Sequence, residues 1–399
     1  MPSVFARILL AIRLLLILAT TYTTVNISVA KSAQLQDGDA PNDNIPCLEA
    51  VLTGVGGPAP QPGKAQSGVF IRYGTTETNC NSVRLQFDAG RGLLMRLSQI
   101  PANAPPKYIT PLSLDALFLT HAHTDHTSSL PDLIATRWIL AKNDGQFSGT
   151  PAPRQYSPLA VICFGITCDT AKRATKMWDK TEIPLRKKND FRSTRPRADI
   201  RRYSTQNDPQ IVWSQGDVTV ISTSVPHIED SVGYRVQTPA GDICISGDTG
   251  LSENLINLCE GADVLIHEAA HPVLGALVTN PPPNADPKFI SVLDNIDNSH
   301  TSAKELGAFE GLVPTLIMTH LTPGTGAGGI QGVPLIPYLQ KLDPSRQPGP
   351  LNMSDYCTAL REGGYKGVAH IGVDLLSVKL KNGDTVIETP IKEQTACAS

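Results

Sequence analysis

The sequence predicts an α/β fold in which two β-rich halves carry helices on their outside. Short apolar runs that end in glycine turns or polar residues recur in two groups, and such runs predict buried strands. They lie at 49–53, 69–73, 83–87 and 116–119, and then at 218–225, 233–237, 243–246, 264–266 and the run that ends at His320. Helices are predicted at 129–140 and 302–309. After an N-terminal leader, about 365 residues remain, enough for one large domain.

The last part of the chain has a weaker pattern. Residues 328–350 are rich in Pro and Gly and predict a long loop, whereas residues 354–362 predict a helix. Residues 376–388 predict a hairpin that turns at Asn382 and Gly383. We therefore expect one folded domain over residues 34–399, with a less regular extension from about residue 325.

Three histidines and one aspartate lie within six residues, directly after the strand predicted at 116–119. They are His121, His123, Asp125 and His126, in a chain that holds nine histidines. Two imidazoles at i and i+2 can bind one ion at a strand end, while the adjacent Asp and His turn towards a second ion. Imidazole and carboxylate suit zinc, manganese or iron better than calcium or magnesium. The motif predicts a metal-binding loop rather than a polar loop with chance histidines.

Three further ligand candidates also follow or end predicted strands. His227 comes after the run 218–225, Asp248 comes after 243–246 in a glycine turn, and His320 ends an apolar run. The carboxyl ends of strands converge on one edge of a sheet, which is where α/β folds usually place their chemistry. We expect these side chains to join the motif at 121–126 in one site.

At this point the chain resembles the metallo-β-lactamase fold superfamily, and within it the ribonuclease Z and arylsulfatase-like branch. The motifs behind this resemblance run from about residue 49 to residue 320. They are Gly54-Val-Gly-Gly57, Phe87-Asp-Ala-Gly-Arg-Gly92, His121 to His126, Pro226-His227, Gly233-Tyr-Arg235, Ser246-Gly-Asp-Thr249, Ile266-His-Glu-Ala269, His300-Thr-Ser302 and Thr319-His-Leu-Thr322. One departure is Thr124, which stands where the family usually has Gly. The resemblance implies the αβ/βα four-layer sandwich of that superfamily, which two β-rich halves with outer helices fit.

The resemblance also implies how the ligands divide between two metal ions. His121, His123 and His227 would bind one ion. Asp125, His126 and His320 would bind the other ion. Asp248 would bridge both ions together with a hydroxide, because cations about 3.5–4 Å apart need a shared anion. The implied cofactor is two zinc ions, with manganese or iron as alternatives.

Catalytic roles are likewise implied by the resemblance. His300 matches the position from which the ribonuclease Z branch donates a proton to the leaving oxygen, and Glu268 would orient that imidazole. Asp125 is counted with the catalytic residues as well as with the ligands. For Glu268 and His267, a buried strand end satisfied by backbone hydrogen bonds is an equally good interpretation.

Two further motifs have a structural interpretation. Asp88 is expected to hold the metal loop through hydrogen bonds to backbone N–H groups, although it also fits a helix N-cap before residues 91–97. Gly54, Gly56 and Gly57 suggest a phosphate cradle only weakly, because no Lys-Ser/Thr pair follows them. A tight turn is the better interpretation of these glycines.

The expected activity is hydrolysis of an ester bond. Metallo-β-lactamases proper place a Cys where Asp248 stands, and the Cys/Ser-x-Pro-x-Arg motif of sulfatases with a modified residue does not occur in the sequence. The first expectation is a phosphodiesterase that uses a metal-bridging hydroxide. Arylsulfatase-like sulfate-ester hydrolysis comes next, then lactone hydrolysis, and a metal-binding module without activity comes last.

The spacing of two ligands bears on the substrate. True tRNA-processing relatives carry a long tRNA-binding arm between the positions matching His227 and Asp248. These residues are 248 − 227 = 21 apart, which leaves room only for a tight pair of strands. With a net charge of −3, no general attraction to nucleic acid is expected either. We expect a small anionic ester as the substrate. A homodimer is compatible with the sequence.

The first 33 residues predict a signal peptide. Residues 1–7 carry positive charge, residues 8–19 are apolar apart from Arg13, and Ser28-Val-Ala30 or Lys31-Ser-Ala33 offers a cleavage site that ends in a small residue. The alternative, an uncleaved anchor, is weakened because Arg13 leaves the apolar run well short of the roughly 20 residues that span a membrane. We expect a secreted or periplasmic protein that has no membrane attachment after cleavage.

Eight cysteines suit an exported chain with some disulfides. Their connectivity stays open at this stage. Cys163 and Cys168 are close enough in sequence to pair, whereas Cys244 lies in a strand and is expected to pack as a small apolar residue. Basic residues are frequent over 172–202 and either steer an anionic substrate or form a solvated surface.

Overall fold

A computed structural model describes residues 44–102, 107–141, 156–189, 194–390 and 395–398, which belong to one compact unit. The expected leader at 1–33 lies outside the described residues. Seventeen strands lie in the described part. They are β1 (Pro46–Gly54), β2 (Gly68–Thr75), β3 (Val83–Phe87), β4 (Ala116–Phe118), β5 (Leu159–Phe164), β6 (Ala198–Tyr203), β7 (Gln210–Gln215), β8 (Val218–Ser224), β9 (Val232–Thr238), β10 (Gly241–Ile245), β11 (Val264–Ala270), β12 (Thr315–Thr322), β13 (Gly329–Ile330), β14 (Val333–Pro334), β15 (Val368–Ile371), β16 (Ser377–Lys381) and β17 (Asp384–Glu388).

The strands form two large sheets and one small hairpin. The first sheet has the order β17-β16-β1-β2-β3-β4-β5-β6, and the second has the order β15-β12-β11-β10-β9-β8-β7. Each sheet is antiparallel in one part and parallel in the other. The parallel strands are β3, β4, β5 and β6 in the first sheet, and β10, β11, β12 and β15 in the second. The parallel strands of each sheet therefore end at one common edge, where loops can bring side chains together.

Ten α-helices accompany the sheets in the described residues. They are α1 (Leu93–Leu97), α2 (Thr124–Thr127), α3 (Leu130–Leu140), α4 (Gly165–Ala174), α5 (Glu182–Asn189), α6 (Glu253–Cys259), α7 (Val273–Thr279), α8 (Pro287–Ser299), α9 (Ile336–Leu342) and α10 (Met353–Glu362). Several begin at a polar cap that satisfies a free backbone N–H group. Ser252 caps α6, Asp286 caps α8 and Asn352 caps α10. No helix among the described residues is long and apolar enough to cross a membrane.

Three apolar clusters separate four layers. The central cluster takes side chains from both sheets, and Phe87, Phe118 and Tyr234 meet there, with ring centroids of the two phenylalanines 4.7 Å apart. A second cluster lies between the second sheet and its outer helices, and a third lies between the first sheet and α3. This is the αβ/βα four-layer sandwich, so the fold expectation is confirmed.

Most predicted elements are present, with differences where the sequence pattern was weak. The hairpin at 376–388 forms as β16 and β17, and Asn382 and Gly383 have the positive φ angles, 55° and 81°, of a tight hairpin turn. The helix predicted at 302–309 is only a short 3₁₀ helix, Glu305–Phe309. The loop predicted at 328–350 contains α9. The extension after residue 325 supplies an edge strand to both sheets through β15 and β17.

All eight cysteines are paired in four disulfides. They join Cys47 to Cys80, Cys163 to Cys168, Cys244 to Cys259 and Cys357 to Cys397. The pairing of Cys163 with Cys168 agrees with their spacing. The expectation for Cys244 is wrong, since this strand residue is bonded to a cysteine of α6 and ties that helix to the second sheet.

Candidate metal centre

The ligand candidates meet at the edge where the parallel strands of both sheets end. The loop after β4 supplies the motif at 121–126, whose last residues begin the short helix α2. His227 follows β8, Asp248 follows β10, and His320 lies near the end of β12. The tight pair β9 and β10 fills the interval between His227 and Asp248, as their spacing predicts. The structure thus brings all seven predicted ligands to one place.

Four of these side chains form the first cluster. His121, His123, His227 and Asp248 each offer one imidazole nitrogen or carboxylate oxygen, and these four atoms lie within 4.8 Å of one another. His123 Nδ1 is 2.9 Å from His121 Nε2 and 3.2 Å from His227 Nε2. Asp248 Oδ2 is 3.8 Å from His121 Nε2 and 3.9 Å from His227 Nε2. His123 is exposed and marks the side of the cluster that opens to solvent.

The second cluster is deeper and shares Asp248 with the first. Its members are Asp125, His126, His320 and Asp248, all of them buried. His320 Nε2 lies 2.9 Å from Asp125 Oδ2 and 3.4 Å from Asp248 Oδ2. His126 Nε2 lies 3.3 Å from Asp248 Oδ1. One carboxylate therefore faces imidazole nitrogens of both clusters.

The donor set fits divalent cations. Four ligands around a tetrahedral zinc ion, at about 2.0–2.1 Å from it, stand roughly 3.4 Å from one another, close to the spacing in both clusters. His126 Nε2 and Asp248 Oδ1 are buried without a hydrogen-bond partner. A polar atom buried in this way is costly unless something compensates for its lost hydration. A cation held between these atoms would provide that compensation.

The electrostatics of the site also favour positive charge. Burial lowers the pKa of His121, and neighbouring His126 lowers it further, so this imidazole is neutral and offers a lone pair. Burial alone would lower the pKa of His126, but the charges of Asp248 and Asp88 raise it well above its usual value. Burial also lowers the pKa of His320, yet Asp248 and Asp125 raise it overall. The carboxylates thus draw either protons or metal cations into the second cluster.

Asp88 holds the metal loop, as the sequence predicts. Its carboxylate accepts hydrogen bonds at 2.8 Å from both the backbone N–H and the hydroxyl of Thr120, and lies 2.7 Å from His126 Nδ1. The imidazole of His126 is thereby oriented with Nε2 towards Asp248. Asp88 does not cap a helix, since α1 begins after Gly92. Thr120, which also lies 3.1 Å from His121 Nδ1, gave no signal in the sequence.

A backbone carbonyl orients the last histidine of the first cluster. His227 Nδ1 lies 2.9 Å from the carbonyl oxygen of Ser299, at the end of α8. In a neutral imidazole this places the proton on Nδ1 and the lone pair on Nε2, which is the nitrogen that faces His123. Ser299 directly precedes His300, so the same short segment positions both His227 and His300, the expected proton donor.

Half-buried His300 and buried Glu268 form a pair beside both clusters. His300 Nδ1 lies 3.2 Å from Glu268 Oε1, and the same oxygen accepts hydrogen bonds from the backbone N–H groups of Thr301 and Thr249. The imidazole ring lies 4.9 Å from that of His227 and 6.0 Å from that of His320. Glu268 therefore combines both interpretations of its role, since it satisfies backbone groups and also contacts the His300 imidazole.

The remaining candidates are structural. His267 is buried with Nδ1 against the carbonyl of Glu268 and its ring against Phe309, away from both clusters. Gly54 is required by close packing, because a Cβ there would overlap the carbonyl of Gln66. Gly57 lies against the His320 ring, so these glycines allow a close turn.

The chain is similar in sequence to known proteins. The metallo-β-lactamase superfamily model matches residues 87–142, which contain Asp88 and the motif at 121–126. Ribonuclease Z of Mycobacterium bovis (strain BCG / Pasteur 1173P2) is 27% identical over 286 residues, which cover 70% of this chain and 88% of the relative. Ribonuclease Z of Mycolicibacterium paratuberculosis is 29% identical over 286 residues with the same two coverages.

The chain also has a distant likeness to two solved structures. The short form of human tRNase Z has a TM-score of 0.48 at 18% identity, covering 68% of this chain and 92% of that chain. A metallo-β-lactamase fold protein from Bacillus subtilis has a TM-score of 0.49 at 17% identity, covering 84% and 99% respectively.

The fold and the site define a metal-dependent hydrolase of the metallo-β-lactamase fold. Within that class, the curated relatives that the chain resembles over most of its length are ribonucleases Z. The expected superfamily resemblance is confirmed. The assignment of the individual ligands stays a prediction, to which the geometry above gives a physical basis.

Asp88 offers a test of how the metal site is supported. Asp88→Asn keeps the shape of the side chain but removes the charge that orients His126, so metal affinity should fall about 10–100-fold. Competition with a chelator of known affinity would measure this. Asp132→Asn, which changes an exposed carboxylate on α3, is the matched control. An unchanged affinity in Asp88→Asn would show that the hydrogen bond to His126 does not support metal binding.

Proposed function

We propose that this protein is an exported phosphodiesterase that binds two zinc ions. The observation that carries the proposal is the sharing of Asp248 between two four-membered clusters of ligands. Imidazole-rich clusters with a carboxylate favour zinc, with manganese or iron as the closest alternatives. When bound, such a pair of ions lowers the pKa of water to near 7 and polarises an oxygen of the substrate.

His300 is the proton donor in this proposal. Its Nδ1 faces Glu268, so Nε2 is the nitrogen that remains to meet a leaving oxygen. Burial lowers the pKa of His300, but the charge of Glu268, 3.2 Å away, and the charge of Asp248 raise it to about 9. The imidazole is therefore protonated at neutral pH. Cations in the two clusters would pull this pKa back towards neutrality, which suits a general acid.

A phosphodiester is favoured over the alternative substrates. The relatives that the chain resembles are named for cleavage of RNA, whose linkages are phosphodiesters. Asp248 stands where metallo-β-lactamases proper have Cys, which argues against lactams. A sulfate ester remains the second candidate, because a sulfuryl oxygen would meet the same ions. The short connection between β9 and β10 leaves no room for a tRNA-binding arm, so we propose a small anionic ester as the substrate.

Export is supported by the four disulfides. Disulfides persist in oxidising compartments and are rare in the cytosol, and here they use every cysteine in the chain. Together with the sequence pattern of residues 1–33, they favour a mature protein in the periplasm or outside the cell.

The substrate class is tested with metal-reconstituted mature protein. We expect about two transition-metal ions per chain by elemental analysis and hydrolysis of bis-p-nitrophenyl phosphate in preference to p-nitrophenyl sulfate, homoserine lactone and nitrocefin. Asp248→Ala should lose at least one ion and the activity with it, because the two cations lose their shared anion. Preference for p-nitrophenyl sulfate would instead favour sulfate-ester hydrolysis. Fewer than one ion per chain would contradict the proposal of two bound ions.

The role of His300 is tested with a series of leaving groups. His300→Ala should keep its metal and lose about 10²–10⁴-fold in rate on esters with poor leaving groups. The deficit should shrink as the leaving-group pKa falls, since a good leaving group departs without a proton. Equal losses across the series, with metal retained, would mean that His300 positions the substrate and is not the acid.

Export has a direct test at the N-terminus. Protein recovered from the native host should begin near Lys31 or Gln34, because the small residues before these positions offer the cleavage site. N-terminal sequencing of the fractionated cells would decide the point. An intact Met1 in a cytoplasmic pool would contradict the proposal.

A further inference from the structure

A cavity of about 320 Å³ lies beside the metal centre, between residues 56–66 and residues 91–96. Two close approaches connect it to the second cluster of ligands. A Cβ on Gly57 would lie 3.3 Å from Cε1 of His320, and a Cβ on Gly90 would overlap the carbonyl oxygen of Asp125. One wall therefore contacts the His320 ring directly, and Gly90, which precedes Arg91 of the other wall, contacts the backbone of Asp125.

The walls are fixed by two polar side chains, Gln66, which is buried, and Asp374, which is half-buried. Asp374 accepts hydrogen bonds from the backbone N–H groups of Val55 and Ala65, at 3.1 and 2.6 Å. Gln66 donates through Nε2 to the carbonyl of Gly57 and accepts through Oε1 from the backbone N–H of Arg91. These bonds tie the two walls together, so the cavity has a defined shape before any ligand enters.

Three cationic side chains line the cavity, and two of them already have ion-pair or hydrogen-bond partners. Arg96 pairs with Asp374 at 2.8 Å and also donates to the carbonyl of Gly63 and to Gln99. Lys64 donates to the hydroxyl of Thr325. Arg91 is exposed, and within the described ranges its guanidinium has no hydrogen-bond or ion-pair partner. One planar cation is thus presented at the cavity beside a cluster of metal ligands.

The surroundings of Arg91 combine charge with an apolar surface. Met95, 70% exposed on α1, and Pro60 line the same cavity. A guanidinium binds a phosphate through two parallel hydrogen bonds, and a thioether packs readily against ligands of varied shape. The volume lies at the lower end of ligand-sized pockets. It suits one substituent of an ester, not a whole macromolecule.

We propose that this cavity, named here the Arg91 subsite, binds a second phosphate group carried by one substituent of the ester. Arg91 is the specificity-determining residue of the subsite, and Met95 and Pro60 contact the apolar part of that substituent. The proposal rests on the proposed phosphodiesterase function. It narrows the substrate to diesters that carry a further phosphate, such as phosphorylated nucleotide esters.

The test compares two substrates that differ only in that phosphate: the p-nitrophenyl ester of thymidine 5′-phosphate, with and without a 3′-phosphate. The wild-type protein should prefer the 3′-phosphorylated ester about tenfold or more in kcat/KM, mainly through KM. Arg91→Gln should abolish this preference while changing kcat/KM for the other ester less than about twofold. Arg91→Lys should keep part of the preference, since a lysine retains the charge but not the paired hydrogen bonds.

Arg173→Gln is the matched control, because it removes one exposed positive charge on α4. It should leave the preference unchanged. If Arg173→Gln lowers the preference as much as Arg91→Gln does, the effect is long-range attraction and the subsite is refuted. Equal use of both esters by the wild type, or a preference that survives in Arg91→Gln, would also overturn it.

Binding measurements separate this proposal from the proposed function. Isothermal titration of the metal-loaded protein with thymidine 3′,5′-bisphosphate and with thymidine 5′-monophosphate needs no turnover. Tighter binding of the bisphosphate to the wild type but not to Arg91→Gln supports the subsite even if neither ester is hydrolysed, in which case only the phosphodiesterase proposal fails. Equal affinities for the two nucleotides would overturn the subsite whatever the activity.

Discussion

The carboxylate of Asp248 is the group on which the rest of the site depends. It is buried, with one oxygen 3.3 Å from His126 Nε2 and the other 3.4 Å from His320 Nε2, and it belongs to both ligand clusters. An isolated buried carboxylate is strongly unfavourable unless cations or hydrogen bonds compensate for its lost hydration. The surrounding imidazoles can do so only by taking up protons or by sharing metal ions with it. The candidate ligands at this edge of the sheets are therefore arranged around the one carboxylate of Asp248.

The two sheets supply that geometry from their cores. Phe87 and Phe118 stack below the site, and each ends a strand whose next residues carry Asp88 or the metal loop. Tyr234, from the opposite sheet, packs against both rings and donates to the carbonyl of Leu119 at 2.6 Å. The apolar packing between the sheets thus fixes the backbone from which the ligands project. Asp88 follows one of these strands, and its carboxylate contacts His126 Nδ1 and holds the imidazole in a fixed orientation.

The meeting of these seven side chains at one edge could be predicted from the sequence, because metal chemistry restricts the residue types of candidate ligands and strand ends restrict their places. The contacts that orient these side chains could not be predicted from the sequence. Any residue has a backbone carbonyl like that of Ser299, and many have a hydroxyl like that of Thr120. β6 was missed because, at the edge of its sheet, it carries exposed charges such as Arg201 in place of an apolar run. Arg96 of the same cavity pairs with Asp374, a contact across 278 positions that no local pattern reveals.

Anomalous diffraction from crystals of the zinc-reconstituted protein would test the central claim most directly. The account predicts two zinc peaks about 3.5–4 Å apart, one among His121, His123 and His227 and the other among Asp125, His126 and His320. Asp248 should lie between the two peaks. A single peak at full occupancy, or two peaks that do not share Asp248, would contradict the claim.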